Sequence, residues 1–174
     1  MLCAPLLAHG APPLSNTEFP DSSAPADAID QTRLTRLLGY RLTRGELQTR
    51  RMFLDCVRAY ELKPVDFSVL VLVDANSGAN QRQLAEVLDV SPPNLAIVIA
   101  RLIKRRLLRQ VRGRQDRRMQ HLHLTAAGKA LLDEAEAAVQ RMEAQLLQAL
   151  GPSAGRSLLR GLDLLAKIEP IEPT

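Results

Sequence analysis

The chain has 174 residues, 46% of them hydrophobic but only 3% aromatic and none tryptophan, so its core must be built from Leu, Val, Ile and Ala, a composition suited to packed helices. The longest aliphatic run, Leu95 to Ala100, is far short of the roughly 20 residues a membrane span needs, which excludes a transmembrane helix. Net charge is +4, yet Arg101 to Arg118 holds nine basic residues against one acid, Asp116, so the rest of the chain is net acidic. That concentration marks either a polyanion-binding surface or a solvated basic helix face.

Residues 1–28 hold five of the eleven prolines and no hydrophobic period, and read as a flexible extension that cannot bury enough surface to order itself. They lack a basic leader segment, and Leu2 to Ala8 is broken by Pro5, so no secretory signal is expected and the protein is expected in the cytoplasm. From Asp30 to Leu62 apolar residues recur at helical spacing (Leu34, Leu37, Leu38, Leu42, Phe53, Cys56, Val57, Tyr60), predicting one long helix weakened at Gly45. Pro64 fits the first turn of a second helix with Phe67, Leu70, Val71 and Val73 inward, ended by Asn76-Ser77-Gly78.

Asn80 with Gln83 three residues on is a variant capping box, opening a short helix that carries Leu84, Ala85 and Leu88. Ser91 followed by Pro92 then starts another, as an N-cap with a proline where no backbone N–H is needed. Its buried side is expected to be Leu95, Val98, Ile99 and Leu102. Leu84, Leu88, Val90, Leu95 and Val98, with small Ala85 at the closest approach, have the spacing of a helix-turn-helix. Asp89 takes the place of the usual turn glycine and tolerates the left-handed conformation.

Leu107 to Arg112 and Met119 to Leu124 read as a hairpin around a strongly basic loop, which makes the unit a winged helix. Thr125 caps a long helix with a coiled-coil-like stripe (Leu131, Leu132, Ala135, Val139, Met142, Leu146, Leu150), stopped by Gly151-Pro152. A last helix carries Leu158, Leu159, Leu162 and Leu165. These apolar stripes lack an obvious partner within the chain, and a second copy is the expected one. The expected fold is mainly α with a small two- or three-stranded wing. A winged helix-turn-helix at 63–124 is flanked by dimerisation helices at 29–62 and 125–170.

The segments QRQLAEVLDVSPPNLAIVIARL and RGRQDRRMQHLHLTAAG, between long flanking helices, resemble the MarR (multiple antibiotic resistance regulator) family of bacterial transcription factors over about residues 30–168. The wing's Asp116 and Arg118, followed by Leu124, Thr125 and Gly128, look like the family's Asp-x-Arg and Leu-Thr-x-x-Gly. Arg106 departs from the pattern, where a helix-ending glycine is common, and the N-terminal extension is long. The resemblance implies a homodimer on a pseudo-palindromic operator in double-stranded DNA, most often as a repressor, released by a small-molecule effector.

It also implies that Arg118 enters the minor groove with Asp116 as its support, a simple turn residue being the alternative reading of Asp116. On the recognition helix, Asn94 suits an adenine edge and Ala96 and Ile97 suit thymine methyl groups, with Pro93 beside them; any of these is alternatively a spacer. Arg101, Lys104, Arg112 and Arg114 are expected as phosphate contacts, and Ser91 as both cap and phosphate donor. An effector pocket implied by the family would draw on Tyr40 with Arg36 or Arg44 for a phenolic or carboxylate ligand such as an aromatic acid, and Phe67 as apolar floor. Tyr40 packed in a dimer interface, with both arginines solvated, is the other reading.

His121 and His123 share one strand face but lack further ligands at a metal-site spacing, so solvent-facing histidines are expected and no metal. Cys3 and Cys56 form neither a disulfide framework nor a zinc spacing; Cys56 reads as core packing or as a redox sensor. No phosphate loop, nucleophile elbow or paired acids appear, so neither an enzyme nor a cofactor is expected. The rival classes are a winged helix used for protein–protein assembly and a thiol-switched regulator.

Overall fold

The computed structural model describes residues 29–112 and 120–169. Helices α1 (Thr32–Thr35), α2 (Leu38–Val57), α3 (Pro64–Ala75), α4 (Gln81–Leu88) and α5 (Pro92–Lys104) precede a hairpin of β1 (Leu108–Arg112) and β2 (Gln120–Leu124). Helices α6 (Ala126–Leu150) and α7 (Pro152–Leu165) follow. The strands pair antiparallel from Leu108 with Leu124 to Arg112 with Gln120. A single bridge, Asn80 to His121, is all there is of a third strand among the described residues.

The predicted long first helix is instead broken at Arg36-Leu37, where Leu37 is extended, and not at Gly45, which lies inside α2. The four residues of α1 bury nothing, so no packing supports a continuous helix there. The guanidinium of Arg41 bonds the Thr35 carbonyl, which a continuous helix would have used internally. At its far end α2 tightens into a 3-10 turn, Arg58–Tyr60, closed by Glu61 in the left-handed region at φ 52°.

The core gathers Val57, Leu70, Val73, Leu95, Leu102, Leu122 and Leu132 from every layer of the winged helix and its flanking helices. On α3 the buried residues are Asp66, Val69, Leu70 and Val73, with Phe67 and Val71 only partly covered, so the inward face is rotated from the predicted one. Asn80 and Gln83 form their reciprocal cap: the Asn80 side chain accepts the Gln83 N–H at 3.0 Å and the Gln83 side chain accepts the Asn80 N–H at 2.9 Å. Asp89 ends α4 at φ 49° and ψ 45°, the left-handed turn that lets α5 cross α4.

Thr125 caps α6, accepting the Gly128 N–H at 2.9 Å while its hydroxyl donates to the Arg106 carbonyl at 2.6 Å. Helix α6 packs on α2 and α7. Lys129 bridges Asp133 on its own helix and Asp74 on α3, and those two carboxylates hold its ammonium above the ordinary lysine range. Leu34, Leu37, Leu38, Leu47 and Leu54 on the first helices, and Leu147, Leu150, Leu158, Leu159, Leu162 and Leu165 on the last, remain exposed.

Candidate DNA-binding face and effector hollows

Burial around α5 follows the helical period. Leu95, Val98, Ile99 and Leu102 are buried, as their spacing predicts, and Pro93, Asn94, Ile97, Ala100 and Lys104 are exposed. Ala96 lies half-buried at the margin. The Gln81 side chain donates to the Pro92 carbonyl at 3.0 Å, fixing the start of α5 against the start of α4. Ser91 occupies the N-cap position but makes no side-chain cap bond, because the prolines at the first two helical positions leave fewer backbone N–H groups for it to accept. Its cap role, predicted from sequence, is therefore corrected, and its hydroxyl lies in an exposed residue beside the helix start.

The basic run is divided by the fold. Arg101 turns inward: its guanidinium pairs with Asp66, a carboxylate only 1% exposed, while Arg101 itself is 33% exposed. The other Asp66 oxygen accepts the Lys63 N–H at 3.0 Å, so one buried carboxylate joins the start of α3 to α5. Arg101, expected at a phosphate, is thus held against Asp66 and does not project with Lys104, and a buried carboxylate left alone would carry a large desolvation penalty. Arg105 donates to the Tyr60 and Glu61 carbonyls at 2.8 and 2.7 Å, capping the 3-10 turn. Arg106 sits at φ 59°, the conformation a glycine would adopt there. Lys104, Arg109 and Arg112 remain exposed beside the α5 face. Arg114, Asp116 and Arg118 lie outside the described residues.

The two histidines, expected to face solvent, are half-buried. Nδ1 of His121 lies 2.6 Å from the Gly78 carbonyl oxygen and Nδ1 of His123 lies 3.0 Å from the Ser77 hydroxyl, so both tie the wing to the α3–α4 turn. No cluster of three metal-ligating side chains occurs among the described residues. Cys56 is a half-buried free thiol on α2.

Of the predicted effector residues, Tyr40 and Arg44 share a hollow of about 360 Å³ with Gln31, Thr35 and Arg41, and the Tyr40 hydroxyl bonds Gln31 at 3.0 Å. Arg36 does not line it, and Phe67 is elsewhere, edge-on to Phe53 with ring centroids 5.4 Å apart. A second hollow of about 230 Å³, which the sequence reading missed, lies between α2 and α6 with Thr49, Arg50, Phe53, Pro64 and Met142 in its wall. The signal available for it was the recurrence of Phe53 and Phe67, two of only three phenylalanines.

A recognition-type helix with an open outer face, a basic hairpin and long flanking helices define a winged helix-turn-helix transcriptional regulator. The sequence pattern of the MarR family matches residues 60–119. A putative transcriptional regulatory protein for the hcr operon of Thauera aromatica is 30% identical over 126 residues, covering 72% of this chain and 75% of that one. The structure of the transcriptional repressor CouR bound to a 23-mer DNA duplex is 37% identical with a TM-score of 0.78, covering 81% of this chain and 100% of that chain. CouR bound to p-coumaroyl-CoA is 35% identical with a TM-score of 0.75, covering 82% of this chain and 100% of that chain. The chain belongs to the MarR family. No helix among the described residues is long and apolar enough to cross a membrane.

Proposed function

We propose that the protein is a cytoplasmic, homodimeric repressor that binds a pseudo-palindromic operator and is released by a small aromatic acyl ligand, as the free acid or its CoA thioester. The observation that carries this reading is the outward face of α5, left uncovered by the other described residues, beside the exposed cations Lys104, Arg109 and Arg112. In this reading α5 enters the major groove through Pro93, Asn94, Ala96 and Ile97. Ser91, Lys104, Arg112 and Arg114 meet phosphates, and Arg118, supported by Asp116, reaches the minor groove. The exposed leucines of α1, α2, α6 and α7 supply the contact between two copies.

Release follows from geometry. Two recognition helices must sit about 34–36 Å apart to meet successive major grooves, so a ligand that prefers another spacing costs contacts in both half-sites at once. Likeness to CouR bound to DNA and to p-coumaroyl-CoA supports both halves of the cycle. The test is binding of the purified protein to DNA upstream of its own gene and to a scrambled duplex at several salt concentrations. An aromatic acid or its CoA thioester is then added. Salt-sensitive preference for the first duplex, lost on adding either ligand, is expected. Equal binding to both duplexes at every salt concentration would reject the repressor reading for that promoter.

A further inference from the structure

We propose that Asp66 sets the base specificity of α5 by holding Arg101 off the groove, which leaves Ile97 at the centre of the reading face against a thymine methyl group. The inference rests on the DNA-binding reading above. With Leu95, Val98, Ile99 and Leu102 inward, the helical period puts Pro93, Ile97, Ala100 and Lys104 on one outward ridge, and Asn94 and Arg101 on its flank toward α3. Ile97 is 63% exposed in the middle of that ridge. A lone exposed isoleucine is ordinary on a protein surface, but this one projects from the face offered to DNA. There the apolar group on base edges in the major groove is the thymine C5-methyl.

Arg101 stands one turn beyond Ile97 and is the residue type that reads guanine through O6 and N7. Its terminal nitrogen is instead bound to Asp66 Oδ1, and its Nε is buried with no partner among the described residues. Asp66 is itself fixed by the Lys63 N–H on Oδ2. Swinging Arg101 out to a base would strand a carboxylate that is 1% exposed, so the groove gains no arginine from this helix. Pro93, Ile97 and Ala100 carry no hydrogen-bonding side chain, and Asn94 suits an adenine edge. The ridge therefore selects A·T pairs at the centre of each half-site, and Asp66 is a positioning residue that keeps it so.

Binding sites for the full chain are first selected from a random duplex pool, and each recurrent thymine is then replaced by uracil, which removes only the methyl group. Wild type is expected to lose about fourfold in affinity at one position per half-site, the worth of one buried methyl. Ile97→Ala is expected to bind the thymine and uracil duplexes equally. Arg101→Gln should leave the slope of log affinity against log salt unchanged, whereas a slope smaller by about one would make Arg101 a phosphate contact and overturn the proposal. Asp66→Asn, folded by circular dichroism, should accept guanine at the central position; an unchanged base profile would remove Asp66 from the mechanism. Should that variant not fold, the uracil and salt-slope measurements still decide. Specific binding indifferent to uracil overturns the inference and leaves the DNA-binding reading intact, whereas no specific binding to any duplex overturns both.

Discussion

Gly128, in the first turn of α6, lies so close to Leu107 that a Cβ built on it would stand 2.0 Å from the Leu107 carbonyl oxygen. The same carbonyl accepts the Thr125 N–H at 3.0 Å, so the residue that leads into β1 and the start of the long helix meet backbone to backbone. A glycine-to-alanine change inside a helix ordinarily stabilises by up to about 1 kcal/mol. Here the sign reverses. Gly128→Ala must push α6 away from β1, and overpacking of this kind costs about 1–3 kcal/mol, a fall in Tm of roughly 2–12 °C. Thermal unfolding of the variant checks this, and an unchanged or higher Tm would show that the two backbones can separate freely.

Arg106 presents the opposite case. Its φ of 59° costs an L-residue about 1–2 kcal/mol that glycine avoids. Arg106→Gly is expected to raise the unfolding free energy by about 1 kcal/mol, partly offset by the freer unfolded chain. Denaturant titration should show a higher midpoint with the same slope.

The hydrogen bonds from His121 and His123 to the α3–α4 turn make the wing's attachment testable apart from its charge. His121→Ala removes one tie of the hairpin to Gly78, whose N–H still donates to the Leu122 carbonyl at 3.1 Å. Operator binding should weaken several-fold, and the salt slope should stay close to that of the wild type because the wing stays attached and the lost side chain is not itself a phosphate contact. His121→Asn keeps a side-chain N–H near the position of Nδ1 and is expected to recover most of the loss. Equal defects in both variants would mean that the bond to Gly78 does not position the wing.

Much of this was legible in the sequence because local chemistry and tertiary role coincide. The Asn80–Gln83 cap, the left-handed Asp89 and the buried stripe of α5 are each set within a few residues. What stayed hidden depends on distant partners. Nothing in the spacing of Asp66 and Arg101, 35 residues apart, says that they meet, so the arginine read as one more cation of a basic run. The ties of the histidines were likewise hidden because their hydrogen-bond partners lie 43 and 46 residues away. The break at Leu37 was missed because the apolar period runs straight through it, whereas no residue of α1 is buried among the described residues to hold the helix continuous.

The two hollows make different predictions about effector response. The one holding Tyr40 offers the guanidinium groups of Arg41 and Arg44; the one beside Phe53 sets a phenyl ring, Pro64 and Met142 between the charged side chains of Glu46, Arg50 and Glu143, and so has apolar surface for an aromatic ring to pack on. Pro64, in the wall of the second, is two residues from Asp66, so a ligand that shifts the start of α3 acts one ion pair away from α5. Met142→Phe partly fills a space of about 230 Å³ without adding charge. It is expected to keep operator affinity within about twofold of wild type while raising the effector concentration for half-release at least tenfold, the effect of about 1.4 kcal/mol on ligand binding. Arg44→Ala should change half-release far less. The reverse pattern in a competition titration, with Arg44→Ala unresponsive and Met142→Phe normal, would move the site to the Tyr40 hollow and detach it from the Asp66 contact.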